Sequence, residues 1–237
     1  MDQMLLRYRR DIDRLDVNVH VMAAIDNDFV RMLSKSFLGY GRPVLALHGG
    51  DLVIANFPVP KGDWTARLES TGRLLGDLRS VGLLDDLLSR VVFKRAAGQN
   101  EYEANYDILG RLTADQRRVI LAIFESLRDL NRSRGRRFVF VRLPTEPDCY
   151  DLETSRPWRN WVTGELGKLG IPVIDLLPDF SALPAVDSHR MFIQKDVPNS
   201  PAAKGHYTEA GNKFVAERVY DRLTSLRELP AKPAGSI

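Results

Sequence analysis

The apolar positions of this chain switch several times between helical and strand-like spacing. Met4, Leu5, Leu6, Tyr8 and Ile12 stand at helical intervals, so the chain opens directly on an amphipathic helix. Val17 to Ile25, VNVHVMAAI, is a short run rich in β-branched residues that predicts a strand buried on both faces, ending at Asp26-Asn27-Asp28. From Arg42 to Pro60, RPVLALHGGDLVIANFPVP, two alternating runs flank Gly49-Gly50, which supply the positive φ of a tight turn and predict a surface β-hairpin.

Leucines at 68, 74, 75, 78, 83, 84, 87 and 88 recur at helical spacing from Trp64 to Ala97, with breaks near Gly76 and Gly82, so two or three helices are predicted there. Gly98 to Gly110 reads as a polar, glycine-containing stretch. Thr113 is a candidate N-cap for a helix whose apolar face is Val119, Ile120, Ile123, Phe124, Leu127 and Leu130. Then follow a strand at Arg137 to Leu143, a helix from Trp158 to Leu169 stopped by Gly170, a strand at Ile171 to Asp175, and a helical pattern from Lys213 to Leu226.

Strands separated by helical segments pair in parallel through crossovers, which predicts an α/β fold, a three-layer α/β/α sandwich carrying an inserted hairpin. One domain is expected over residues 1–228, with 229–237 as a tail. Ligands of such sheets bind at the carboxyl ends of the strands. Asp26 to Asp28, Pro144 to Asp148, and the loop from Leu177 to His206 all fall at that edge.

Composition narrows the function classes. With 237 residues, 44% of them hydrophobic and 27% charged, the chain has enough apolar material for one sizeable soluble core. Its 34 basic and 31 acidic residues are interspersed, so the net charge of +3 describes a solvated surface and no nucleic-acid patch. Cys149 is the sole cysteine, which excludes an intramolecular disulfide and a cysteine zinc cluster and fits a reducing compartment. No apolar run reaches membrane-spanning length, and MDQMLLRYRR does not read as a signal peptide. A cytoplasmic location is the default, left open because a signal or anchor could lie ahead of Met1. Neither a metal nor a cofactor is expected.

Two short segments could carry chemistry. GHYTEAGN, Gly205 to Asn212, sets His206 at a loop-to-helix junction, where an imidazole of near-neutral pKa suits proton transfer. Thr208 caps the helix that follows. Asn27, directly after a strand, could donate its amide to an oxyanion beyond the sheet edge, or form an Asx turn. Asp28 could bond backbone amides and hold the loop.

Together these segments resemble the SGNH (GDSL-type) hydrolase family over nearly the whole chain. Asn27-Asp28 looks like the family's third block and GHYTEAGN like its fifth. The inserted hairpin is similar to that of one subgroup. The resemblance implies an esterase on an SGNH/flavodoxin-like sheet, with His206 as general base, Asn27 as an oxyanion-hole donor, and an acyl ester or acylated carbohydrate as substrate. The family's nucleophilic serine lies in a Gly-Asp-Ser block, and that tripeptide does not occur here. QMLLRYRRDIDRL, residues 3–15, resembles the helix after the family's second block, so the resemblance implies a chain incomplete at its N-terminus and inactive as it stands. The family's acid stands two or three residues before the histidine, where this chain has Lys204 and Ala203; Asp196 is the nearest candidate to orient His206.

Loss of the first strand would leave 17–25 as an apolar edge, through which the chain is expected to self-associate. A different class of function remains open: a non-catalytic carbohydrate-binding or interaction module using Trp158, Trp161 and Tyr207. A third is an unrelated α/β protein in which the histidine and asparagine coincide by chance.

Overall fold

The computed structural model describes residues 1–37, 40–59, 101–195 and 203–226. The helices expected between Trp64 and Ala97, the candidate acid Asp196 and the tail lie outside the described residues. The elements are α1 (Asp2–Asp11), β1 (Val19–Ala24), α2 (Asn27–Arg31), β2 (Ser36–Phe37), β3 (Tyr40–Gly41), β4 (Val44–His48) and β5 (Asp51–Ala55). They continue with α3 (Glu101–Gly110), α4 (Ala114–Arg132), β6 (Arg137–Arg142), α5 (Leu152–Lys168), β7 (Val173–Asp175), α6 (Leu177–Ser181), α7 (Ala185–Arg190) and α8 (Glu209–Ser225). The fold is mixed α/β around a small parallel sheet.

That sheet has the order β1-β6-β7, with both pairings parallel and Val19 to Ala24 in register with Arg137 to Arg142. Alternation in β6 sends Phe138 and Phe140 to one face and Val139 and Val141 to the other. The phenylalanines join Met22, Leu5 and Tyr8 of α1, Phe29 of α2, Ile123 and Phe124 of α4, and Trp158 of α5 in one apolar cluster. The valines join Ile174, Phe180, Phe192 and Leu223 in a second. Burial on both faces therefore belongs to the central strand β6.

β1 departs from its expected burial. Met22 and Ala24 are buried, but Val21 is 37% exposed and Ala23 is exposed. The Arg137 and Leu143 N–H groups donate to the Asn18 and Ala24 carbonyls, both at 2.9 Å, so the even-numbered residues of β1 turn their backbone toward β6. Val19, Val21 and Ala23 turn theirs outward, where no described strand lies beside them. An apolar groove runs along this edge between Val21, Ala23 and the α8 residues Val215, Val219 and Tyr220.

The hairpin β4-β5 forms as expected, with Gly49 and Gly50 at φ +60° and +94°. Thr113 caps α4 through a capping box with Gln116. Three further expectations fail. Residues 101–110 are helical, because Tyr102, Tyr106 and Leu109 form a buried i, i+4, i+7 stripe that two phenols disguise as polar sequence. Helix α5 starts at Leu152, six positions before Trp158, because the Asp151 carboxylate accepts the Thr154 N–H at 3.1 Å. The stretch from Leu177 to His206, expected as loop, contains α6 and α7.

A buried chain of hydrogen bonds seals the closed face of β1. The Tyr8 hydroxyl donates to Asn131 Oδ1 at 2.5 Å, and Asn131 Nδ2 donates to the Leu127 carbonyl at 2.7 Å and to His20 Nδ1 at 3.1 Å. An amide NH₂ can only donate, so His20 Nδ1 carries the lone pair and the ring is neutral. Tyr8 stacks on that ring at 3.8 Å. Burial, aided by Arg136, pulls the His20 pKa from 6.5 down to about 4. Below pH 6.5 the unfolded chain takes up this proton and the folded chain does not, so stability is expected to fall as the pH drops from 6.5 toward 4. Denaturant midpoints against pH check this, and His20→Phe is expected to flatten that acid limb.

Candidate functional site

Each strand of the parallel sheet ends in a charged residue or turns directly into one. Asp26 follows β1, Arg142 ends β6 and Asp175 ends β7. Arg142 is 1% exposed, and its guanidinium is the hub of this edge. It forms a charge-assisted pair with Asp26 through Nη2 and through Nε, 3.1 Å from both carboxylate oxygens. Nη1 donates to Asp175 Oδ1 at 3.3 Å and Nη2 reaches Asp148 Oδ1 at 3.4 Å. Arg159 of α5 holds the other Asp175 oxygen at 3.0 Å. Two aromatic side chains complete the shell: the Tyr106 hydroxyl, 2.6 Å from Asp26 and 2.7 Å from Asp148, and the Trp158 indole N–H, which donates to Asp26 at 3.2 Å.

The network positions the start of α2. Asp26 immediately precedes Asn27, the first residue of that helix, and the Phe29 N–H donates to the Asp26 carbonyl at 3.0 Å. Asn27 is half-buried, and its side chain makes no hydrogen bond among the described residues. Asp28 accepts the Ile25 N–H at 3.2 Å and pairs with Arg31, which clamps the turn from β1 into α2.

His206 is exposed in the turn before α8. Its backbone is fixed: His206 N–H donates to the Ala203 carbonyl at 3.1 Å, and its own carbonyl accepts the Ile193 N–H at 2.8 Å. The imidazole makes no hydrogen bond among the described residues. Tyr207 ties the turn to the sheet, since its hydroxyl donates to the Pro144 carbonyl just beyond β6 at 2.5 Å. Thr208 caps α8 by accepting the Gly211 N–H at 3.1 Å. Gly211 has no room for a side chain, because a Cβ there would stand 2.2 Å from the Met191 carbonyl oxygen. The Asn27 turn and the His206 turn thus both flank the carboxyl ends of β1 and β6.

The aromatic candidates are occupied elsewhere. Trp158 is buried against Phe29 and bonded to Asp26, Trp161 stacks on Trp158 beneath Arg117, and Tyr207 packs on Phe180 and Phe192. A cleft of about 520 Å³ lies between α3, α4 and α5, lined by Glu103, Asp107, Arg117 and Thr154; neither Asn27 nor His206 borders it. Burial pushes the Cys149 thiol up to about 11, so it is no nucleophile at neutral pH. Among the described residues no group of three or more His, Cys, Asp or Glu could hold a metal ion, and no helix is long and apolar enough to cross a membrane.

Sequence reasoning missed the Arg142 network and a second pair on the rim, His189 Nδ1 with Glu146 Oε1 at 2.7 Å. A buried arginine ending an apolar strand, RFVFVR, was the available signal for the first, since an unpaired charge there is untenable. Nothing local marks the second. Comparisons with known protein families, with curated proteins and with solved structures found no match.

Arg142→Met removes a cation from between buried carboxylates. It is expected to cost about 3–5 kcal/mol at neutral pH, the range for breaking a buried pair on one side. The deficit should shrink in mild acid, where the buried Asp26 carboxyl, which desolvation already biases toward its neutral form, takes up a proton, and denaturant titrations at the two pH values measure it.

Proposed function

We propose that this chain carries the base and one oxyanion donor of an SGNH-type ester-hydrolysing site on a three-layer α/β/α sandwich, and that it does not turn over esters by itself. His206 is the general base and Asn27 the oxyanion-hole donor. Asp28 holds the turn, and Asp196 is the candidate acid that orients the imidazole. The supporting observation is that two segments distant in sequence lie along one sheet edge: the Asn27 turn leaves β1, and the His206 turn is tied through Tyr207 to Pro144 just beyond the adjacent parallel strand β6. Apolar clusters on both faces of the sheet support the layered reading.

The nucleophile is the missing part, since the sequence has no Gly-Asp-Ser. The edge of β1 beside which no described strand lies is where the resemblance implies the nucleophile-bearing strand. Acyl transfer without it retains only the residual catalysis of oxyanion stabilisation and binding. The substrate class is a small acyl ester or acylated carbohydrate. The carbohydrate-binding alternative is weaker, because Trp158, Trp161 and Tyr207 are committed to packing.

The chain is expected to resist fluorophosphonate labelling and to leave p-nitrophenyl acetate unhydrolysed above background. Fusing an apolar strand that ends in Gly-Asp-Ser ahead of residue 1 is expected to confer both properties, with His206→Ala lowering turnover by about 10²–10⁴-fold. Labelling of the unfused chain, or fused activity indifferent to His206 and Asn27, would overturn the reading.

The same edge makes the isolated chain prone to self-association. Among the described residues, Val19, Val21 and Ala23 present backbone groups that no strand pairs, without a proline or charge in β1 to deter pairing. Sedimentation is expected to show dimers or larger species that Val21→Lys converts to monomer; a monodisperse wild-type monomer would count against it.

A further inference from the structure

The hydrogen-bond arithmetic around Tyr106 does not close with the protons usually assigned at neutral pH. Its hydroxyl lies 2.6 Å from Asp26 Oδ2 and 2.7 Å from Asp148 Oδ1, both separations of O–H···O hydrogen bonds. A phenol has one proton to donate. Whichever carboxylate receives it, the other oxygen sits against the phenol lone pairs, and unless it brings a proton of its own only the Arg142 Nη2–H, 3.2 Å from the phenol oxygen, offsets the repulsion. Loss of the phenol proton is no way out, because burial and the two carboxylates push the Tyr106 pKa upward.

Counting charge gives the same result independently. Asp26, Asp148 and Asp175 converge on Arg142 and Arg159, three acids against two bases. One additional proton brings the cluster to neutrality, which a site at 1–4% exposure for Asp26, Arg142 and Asp148 demands. The other groups facing the pair supply no charge. Tyr102 lies 3.3 Å from Asp148 Oδ1 but donates more closely to the Asp151 carbonyl, at 2.9 Å. Trp158 donates to Asp26, and the Thr145 N–H and hydroxyl donate to Asp148 Oδ2 at 2.7 and 2.8 Å.

We infer that Asp26, Tyr106 and Asp148 share one proton at neutral pH, and that this proton holds the Asp26–Asn27 turn at the sheet edge. The proton belongs to the pair of carboxyls, not to either one. Burial favours it, and it is opposed at Asp26 by the Arg142 guanidinium. When it leaves, two carboxylates face one phenol oxygen at hydrogen-bonding distance and repel, and Asp26 carries Asn27 with it. The folded chain binds this proton more tightly than the unfolded chain, so the stabilisation is present at low and neutral pH and is lost as the pH rises through the pair's titration. The proton count stands on the distances and charges around Tyr106 and Arg142, whereas the consequence for Asn27 as an oxyanion donor rests on the proposed esterase site.

The test uses the full chain labelled with ¹³C at aspartate carboxyls. At neutral pH, Asp26 and Asp148 together are expected to show one protonated carboxyl, on one residue or averaged over both, that ionises on raising the pH. The Asn27 side-chain amide resonance is expected to move with the same midpoint. Two fully ionised carboxyls at neutral pH overturn the shared proton, and an Asn27 amide that ignores their titration overturns the link to the turn. Tyr106→Phe is expected to shift the midpoint of the pair's titration, because the phenol bonds both carboxyls; an unchanged midpoint also overturns the proposal. None of these readouts requires ester hydrolysis, so the inference can fail or survive independently of the proposed function.

Discussion

One buried guanidinium joins the ends of all three parallel strands. Arg142 terminates the central strand, Asp26 stands two residues beyond the end of β1 on one side, and Asp175 terminates β7 on the other. Desolvating this arginine and its partners is costly, and an apolar replacement of the whole cluster could be as stable. What hydrocarbon would not supply is direction. A guanidinium presents a planar fork of donors, so Asp26, Asp148 and Asp175 each have one place to stand. The turn into α2, the short 3₁₀ turn at Pro147–Cys149 and the start of α6 inherit their positions from it, the last through the Leu177 N–H, which donates to Asp175 Oδ1 at 3.0 Å.

This constraint explains which parts of the molecule the sequence announces. β6, α4, the hairpin at Gly49-Gly50 and the Thr113 cap depend on periodicity or on neighbours within a few residues, and all are legible. Helix α3 is not, because its inward stripe uses tyrosines whose hydroxyls serve partners 42 and 80 residues away. Arg142 and Asp26 are separated by 116 residues, and no local pattern can express that pairing. The candidate site divides in the same way. GHYTEAGN is readable because cap, turn glycine and helix lie together; Gly211, pressed against the Met191 carbonyl, shows why the motif needs a glycine there. The groups behind Asn27 were invisible, because they come from α3, β6, the 3₁₀ turn and α5.

β1 illustrates how a correct local reading gives an incorrect burial. Its apolar run predicts a strand with two covered faces, and on the His20, Met22 and Ala24 side the cover exists, sealed by Tyr8 and Asn131. On the other side α8 reaches β6 and leaves Val21 and Ala23 along an open groove. The β-branched residues were suited to a neighbour that the described structure does not contain.

That combination bears on how such an edge could be used. A strand added beside β1 would meet backbone groups at Val19, Val21 and Ala23 that already point outward, so pairing requires no change in the β1-β6 ladder. The far end of β1 is held independently, by Arg142 and Tyr106 on Asp26 and by the Ile25 N–H on Asp28. Asn27 is therefore fixed from within the domain, by groups on the sheet and the helices behind it. If the proposed esterase site is right, a nucleophile arriving on a neighbouring strand would find the backbone of Asn27 already placed, and the donated strand would need to contribute only its own chemistry.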